Sequence, residues 1–274
     1  MLSAVELGDL KVAYHLSGSG PPLLLMHGAE GSHRMFDQIV PLLTPHFTVI
    51  AYDQRDCGDT QNSNSPSSLA DLATDAKSLL LALGFARAHV YGTSFGGRVA
   101  QSLALRHPEM IDRLVLGSTW PLSHSLDEFN GVAVKEIQAL RSRLPETAGT
   151  LAEYFFPLPF LVSHPHLREI FKNAQPDSDR SKRRFRTVND SPSLDPGRLE
   201  APTLLIAGEL DRVVPYHVTL GMAELIPKSE SVLLPGVGHA GAFQAAEHIA
   251  NHIRRFCKAS VELTPALPQS VKLP

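Results

Sequence analysis

Short apolar runs alternate along this chain with segments of helical period. The runs are "KVAYHLSG", "PPLLLMHG", "FTVIAYD", "AHVYGTS", "IDRLVLGST", "PTLLIAGE" and "ESVLLPG". "PLLLM" and "LLIA" are continuously apolar rather than alternating, as expected of strands covered on both faces. Between the runs, Leu69, Leu72, Ala73, Ala76, Leu79, Leu80 and Leu83 recur at helical steps and mark one buried face. Ser68 and Asp71 form a capping box at the start of that helix. Val99, Ala100 and Leu103 keep helical spacing after Ser94. Ala246, Ile249, Ala250, Ile253 and Phe256 do the same near the end. Strands alternating with helices predict an α/β fold with a mostly parallel sheet.

The rhythm breaks between Trp120 and Gly197. That stretch shows no convincing strand, is rich in Pro and Phe, and carries two charge runs. It reads as an insertion of short helices (120–197) within a core formed by 1–119 and 198–258. The tail 259–274 has three prolines and little periodicity, which predicts an extended or disordered segment.

Gly92-Thr93-Ser94-Phe95-Gly96 lies where a predicted strand passes into a predicted helix. The Gly-x-Ser-x-Gly pattern there fits a nucleophile elbow. Small residues two before and two after leave room for a strained central backbone. Its plain alternative is a tight turn with an inert serine. A serine hydroxyl needs a base. His239, in "LLPGVGHAGAF", follows the last predicted strand on a loop made permissive by Gly236, Gly238 and Gly241. The base needs an acid to fix its tautomer. Asp211 follows the strand "PTLLIAGE", and Glu209, two residues earlier, is the fallback. The chain order Ser94, Asp211, His239 is that of the α/β-hydrolase arrangement. The backbone N–H groups of Ala29, after "LLLMHG", and of Phe95 are the candidate oxyanion donors. A glycine turn after a strand would place the same residues there, so this assignment leans on Ser94 and His239.

Together "MHGAEGS", "YDQRDCGDT", "GTSFGG", "GELDRVVP" and "GVGHAG" make the chain resemble the α/β-hydrolase superfamily up to about Lys258. The resemblance implies an eight-stranded sheet with a lid inserted after the sixth strand, at Trp120–Gly197. One position departs from it. Many relatives carry Asp-x-Arg-Gly-x-Gly-x-Ser after the fourth strand; here Asp56 replaces the first glycine. A similar "RD-x-G" occurs in methyl-esterases that act on anthracycline polyketides. Asp53 and Arg55 are expected to tie the loop beneath the site.

Composition changes this picture little. The chain has 274 residues, 43% hydrophobic, with a formal charge of −3, which gives no reason to expect nucleic-acid or anionic-membrane binding. No apolar run approaches the ~18 residues of a membrane span. "MLSAVELGDL" lacks a signal peptide's basic and apolar regions. Cys57 and Cys257 form no disulfide framework or metal spacing, and a cytoplasmic setting is the simplest reading. Gly236-x-Gly238-x-x-Gly241 resembles a dinucleotide fingerprint, but no second strand follows. His248 and His252 lack the Glu of a zinc helix and a third ligand. No cofactor and no metal are therefore expected. "DRSKRRFR" (Asp179–Arg186) reads as a solvated charged face, with contact to an acidic substrate or partner as the alternative. "EYFFPLPFLV" lines an apolar pocket or forms the insertion's own core.

A serine at the elbow argues against the carboxylate nucleophile of dehalogenases and epoxide hydrolases of this fold. Ala240 stands where carbon–carbon bond hydrolases often carry Trp. The expected function is hydrolysis of a carboxylic ester, lactone or thioester of a small, apolar substrate through an acyl-enzyme. Carbon–carbon bond hydrolysis, cofactor-independent lyase or dioxygenase chemistry, and a receptor role stay open as alternatives.

Overall fold

A computed structural model describes residues 2–29, 31–174 and 178–258; the tail expected to be extended or disordered lies outside them. Eight strands form the main path of one mixed sheet: β1 (Leu2–Leu7), β2 (Leu10–Ser17), β3 (Pro22–Met26), β4 (Thr48–Tyr52), β6 (Ala88–Thr93), β7 (Ile111–Gly117), β8 (Thr203–Gly208) and β9 (Ser229–Leu234). The two-residue β5 (Gln61–Asn62) pairs with β2 off that path. The order is β1-β2-β4-β3-β6-β7-β8-β9, antiparallel at the β1 end and parallel from β4 onward. The sequence reading finds seven of these strands and misses β1, an edge strand whose residues are mostly exposed.

The central strands are buried along almost their whole length, as their unbroken apolar runs require. Helices α2 (Leu69–Ala82) and α3 (Phe95–Arg106) cover one face, where Leu79, Leu103 and Leu116 share a core. The other face is covered by α1 (Val40–Leu43) and α10 (Ala246–Lys258), with Phe36, Tyr91 and Ile253 among the packed residues. The Ser68–Asp71 capping box opens α2, and the helix ends one residue short of the predicted Leu83. β4 is added on one side of β3 and β6 on the other, so the strand order reverses at β3 and a switch point lies between β3 and β6; crevices for ligands form beyond the carboxyl ends of such strands.

The 120–197 stretch carries α4 (Leu126–Arg141), α5 (Ala148–Phe155), α6 (Leu158–Ser163) and α7 (Asp179–Val188), and no strand among its described residues. It follows the sixth strand of the main path. Trp120 and Leu122 pack into the main core, while Ala152, Phe156, Leu161 and Leu167 make a separate small cluster. α8 (Tyr216–Gly221) and α9 (Gly241–Gln244) flank the last two strands.

Candidate active site

Ser94 sits between β6 and α3 with φ 54° and ψ −126°, a left-handed backbone that costs about 1–3 kcal/mol for a residue with a Cβ. The glycines around it explain why the turn closes. A Cβ on Gly96 would lie under 3.0 Å from the carbonyl oxygens of Met26 and His27, and one on Gly92 would strike the Gly96 carbonyl. Two bonds, one from the end of the next strand and one from the loop after it, hold the strained peptide. Ser94 N–H donates to the Gly117 carbonyl at 2.8 Å, and Thr119 Oγ1 donates to the Ser94 carbonyl at 2.7 Å.

The three residues the sequence singles out meet here. His239 Nε2 lies 3.0 Å from Ser94 Oγ, and its Nδ1 lies 2.9 and 3.0 Å from the Asp211 oxygens. A carboxylate only accepts, so Nδ1 carries the proton and Nε2 is left as acceptor for the serine hydroxyl. Asp211 is held by the amides of Val213 and Val214, both 2.9 Å from Oδ1. Both Asp211 and His239 are buried. The fallback acid, Glu209, is elsewhere: its exposed carboxylate accepts from Gly236 N–H at 2.9 Å and steadies the base of the histidine loop.

Gly28 lies against the serine, close enough that a Cβ there would sit 3.5 Å from Ser94 Cβ and 3.8 Å from Oγ. The turn bearing Ala29 N–H therefore adjoins the hydroxyl, and Phe95 N–H opens α3, where first-turn amides lack helical acceptors. His27 stiffens this turn. Its Nδ1 donates to the Gly28 carbonyl at 2.7 Å, and its Nε2 accepts from Gln54 N–H at 3.1 Å. Burial, with the Arg184 charge nearby, pushes His27 down to about 3. It stays neutral in this network at ordinary pH.

Beneath the site, Asp53 accepts from His33 N–H, His33 Nδ1 and Asp59 N–H at 2.6–2.8 Å. Arg55 forks onto Asp75 at 2.5 and 3.0 Å and reaches Asp9 at 3.1 Å. Asp75 is a buried acid that the helical pattern hid among apolar neighbours. His33, Asp53 and Asp59 are the described residues whose ligand atoms cluster tightly enough for a metal, but His33 Nδ1 and both Asp53 oxygens are already engaged, with each other and with the His33 and Asp59 amides.

The charge run Asp179–Arg186 is solvated on one side only: Asp179, Arg180, Lys182 and Arg186 are exposed, and Arg183 and Arg184 turn inward. Arg184 is 2% exposed: its Nε donates to the Ala29 carbonyl at 2.6 Å and its Nη2 to Gln54 Oε1 at 2.8 Å. Arg183 grips Asp56 at 2.6 and 3.0 Å, and Arg180 donates to the Gly58 and Thr60 carbonyls. The unusual acid at position 56 is thus the counter-ion of the insertion. "EYFFPLPFLV" divides its roles. Phe156 and Leu161 form the insertion's own core, while Phe155 meets the His239 ring edge-on at 5.5 Å. His248 is exposed and His252 partly so, at α10.

A strand-turn-helix serine with its histidine at the switch point of such a sheet is the architecture of an α/β hydrolase, and comparison with known proteins agrees. Residues 21–161 match the family model described as alpha/beta hydrolase fold, and residues 178–261 match one described as TAP-like protein. The chain belongs to the α/β-hydrolase fold family. A protein of Pseudomonas syringae pv. syringae, provisionally named the carbamate hydrolase RutD, is 30% identical over 80% of this chain and 87% of its own. A 2-hydroxymuconate semialdehyde hydrolase of Pseudomonas putida is 28% identical over 88% of this chain and 89% of its own. A hydrolase from Pseudomonas aeruginosa PA01 superposes with TM-score 0.78 and 29% identity, covering 93% of this chain and 97% of the other. The chain is accordingly a hydrolase of this fold.

Proposed function

We propose that the protein is a serine hydrolase that cleaves a carboxylic ester of a small substrate through Ser94, His239 and Asp211. The observation that carries this is the contiguous relay from Asp211 through His239 to the Ser94 hydroxyl, with distances of 2.9 and 3.0 Å. His239 takes the Ser94 proton as Oγ attacks the carbonyl carbon. The resulting oxyanion is received by Ala29 N–H and Phe95 N–H, the preorganised donors beside Ser94. His239 then protonates the leaving alkoxide, which departs as the alcohol, and Ser94 keeps the acyl group. Water attacks that acyl-enzyme with His239 as base, releasing the acid and restoring Ser94.

The relatives named above differ in the bond they break, so their substrates are not carried over. A fluoroacetate dehalogenase of Burkholderia sp matches 39% of this chain at 34% identity. Ser94 at the elbow does not favour that chemistry, which uses a carboxylate there in dehalogenases of this fold. Ala240, directly after His239, likewise does not favour carbon–carbon cleavage.

The experiment is turnover of short-chain nitrophenyl esters by the wild type and Ser94→Ala, with fluorophosphonate labelling of both. Turnover and labelling that both depend on Ser94 are expected. A Ser94→Ala protein with full turnover refutes the reading, as does a wild type that binds small molecules tightly without turning any ester over.

A further inference from the structure

Two arginines are buried in this molecule beyond what an ordinary surface cation tolerates, each bonded only to uncharged acceptors and each with one nitrogen left without one; they differ in where they stand. Arg98 on α3 donates to three carbonyls: Val188 at 3.0 Å, Leu122 at 2.6 Å and His124 at 3.2 Å. It ties the two ends of the insertion together; both of its terminal nitrogens are used, and its Nε is buried without an acceptor. Arg184 on α7 has only two acceptors, the Ala29 carbonyl and Gln54 Oε1, both uncharged. Its Nη1, with two N–H bonds, is buried without any acceptor. A buried cation lacking an anionic partner is heavily penalised unless something else neutralises it.

The position of this guanidinium indicates what that is. Its Cζ stands 4.5 Å from the centroid of the Phe95 ring while its Nε holds the Ala29 carbonyl. Ala29 and Phe95 are the two residues whose amides receive the oxyanion in the reading above. The cation is therefore on the oxyanion side of Ser94. His239, which must reach the leaving group, is flanked instead by Phe155, itself packed on Phe171 at 4.9 Å. Arg184 thus stands on the Ala29–Phe95 side of Ser94, and Phe155 on the His239 side.

We propose that Arg184 is a specificity-determining residue whose Nη1 receives a carboxylate on the acyl half of the substrate. The substrate class is a half-ester of a short dicarboxylic acid with an apolar alcohol. One water is consumed, and the dicarboxylic acid and the alcohol are released. This rests on the serine-hydrolase reading and adds the identity of the acyl group to it.

The test compares kcat/KM for 4-nitrophenyl hydrogen glutarate with that for 4-nitrophenyl valerate, which matches it in length but lacks the charge. Wild type, Arg184→Gln and Arg184→Lys are each assayed on both. The wild type is expected to favour the half-ester by about tenfold or more, the worth of one charge-assisted hydrogen bond. Arg184→Gln is expected to bring that ratio to about one or below, and Arg184→Lys to restore part of it. A residue that merely holds the Ala29 turn would lower both rates together and leave the ratio unchanged, which overturns the proposal. A wild-type ratio at or below one also overturns it. Should Arg184→Gln not fold, inhibition of wild-type valerate turnover decides. Glutarate is expected to compete at a concentration at least about tenfold below that of butyrate, and equal potency is refuting. Ser94-dependent valerate turnover without half-ester preference leaves the hydrolase standing and removes the subsite. Turnover of neither ester removes both.

Discussion

Asp56 offers the sharpest physical test, because its backbone and its charge act in opposite directions. Its φ is 59°, a left-handed value that favours glycine. Its carboxylate, 2% exposed, pairs with Arg183, 11% exposed. Removing one member of a fully buried pair costs about 3–5 kcal/mol. Arg183 keeps some contact with water, so Asp56→Asn, which tolerates the same backbone, is expected to cost about 2–3 kcal/mol. For a chain of this size that lowers the melting temperature by roughly 5–10 °C. Asp56→Ala should be worse than Asp56→Gly by about 1 kcal/mol, since only alanine resists the positive φ. Urea unfolding of the three variants, of Arg183→Met, and of Asp56→Asn combined with Arg183→Met measures both terms. A coupling energy of about 1.5 kcal/mol or more is expected from the cycle. Coupling below about 0.5 kcal/mol, or Asp56→Ala matching Asp56→Gly, would refute the reasoning.

The remaining predictions concern the elbow and the turn beside it. Gly96→Ala drives a Cβ into the backbone oxygens of Met26 and His27, and it should cost more than about 3 kcal/mol in unfolding or leave the protein insoluble. Ser94→Gly should be more stable than Ser94→Ala by about 0.5–2 kcal/mol in thermal melts, because glycine relieves the φ of 54° at that position. Equal melts would show an unstrained turn. His27 falls from its ordinary 6.5 to about 3 in the folded state, so over that window the unfolded chain binds the extra proton. Stability is then complete above 6.5 and falls with decreasing pH, by about 1.4 kcal/mol per unit from this group. His89, lowered by burial, acts in the same direction. Urea midpoints from pH 7 to 5 should show the slope, and His27→Gln should reduce it.

The parallel strands were legible because their burial on both faces leaves uninterrupted apolar runs that nothing else in the chain imitates. The Ser94 elbow, Asp211 and His239 were legible as positions at strand ends, where spacing along the chain is close to spacing in the fold. β1 was not, since an exposed edge strand has no apolar face to declare; only the Gly8–Asp9 turn between its hairpin partners hinted at it. α7 misled for a better reason. Its buried positions are Arg184 and Thr187, while Phe185 is 52% exposed. Hydrophobic periodicity assumes that the hidden side is apolar, and this helix faces a polar site. The unusual Asp56 was visible as a departure, but its partner Arg183, 127 residues away, was not.

The insertion touches each loop of the site separately. Asn130 on α4 donates to the carbonyls of Arg212 and Val213, the Phe155 carbonyl takes the Ala240 amide, and α7 holds the Ala29 turn. Anyone evolving this protein toward larger substrates would begin by randomising that segment to widen the entrance. Asp211, His239 and the Ala29 turn each hang from it, so on the proposed mechanism such a library would sample reaction rate and substrate range as a single trait. Variants that separate the two should instead arise at the insertion's outward positions, such as Val132 and Val162, which are 71% and 72% exposed.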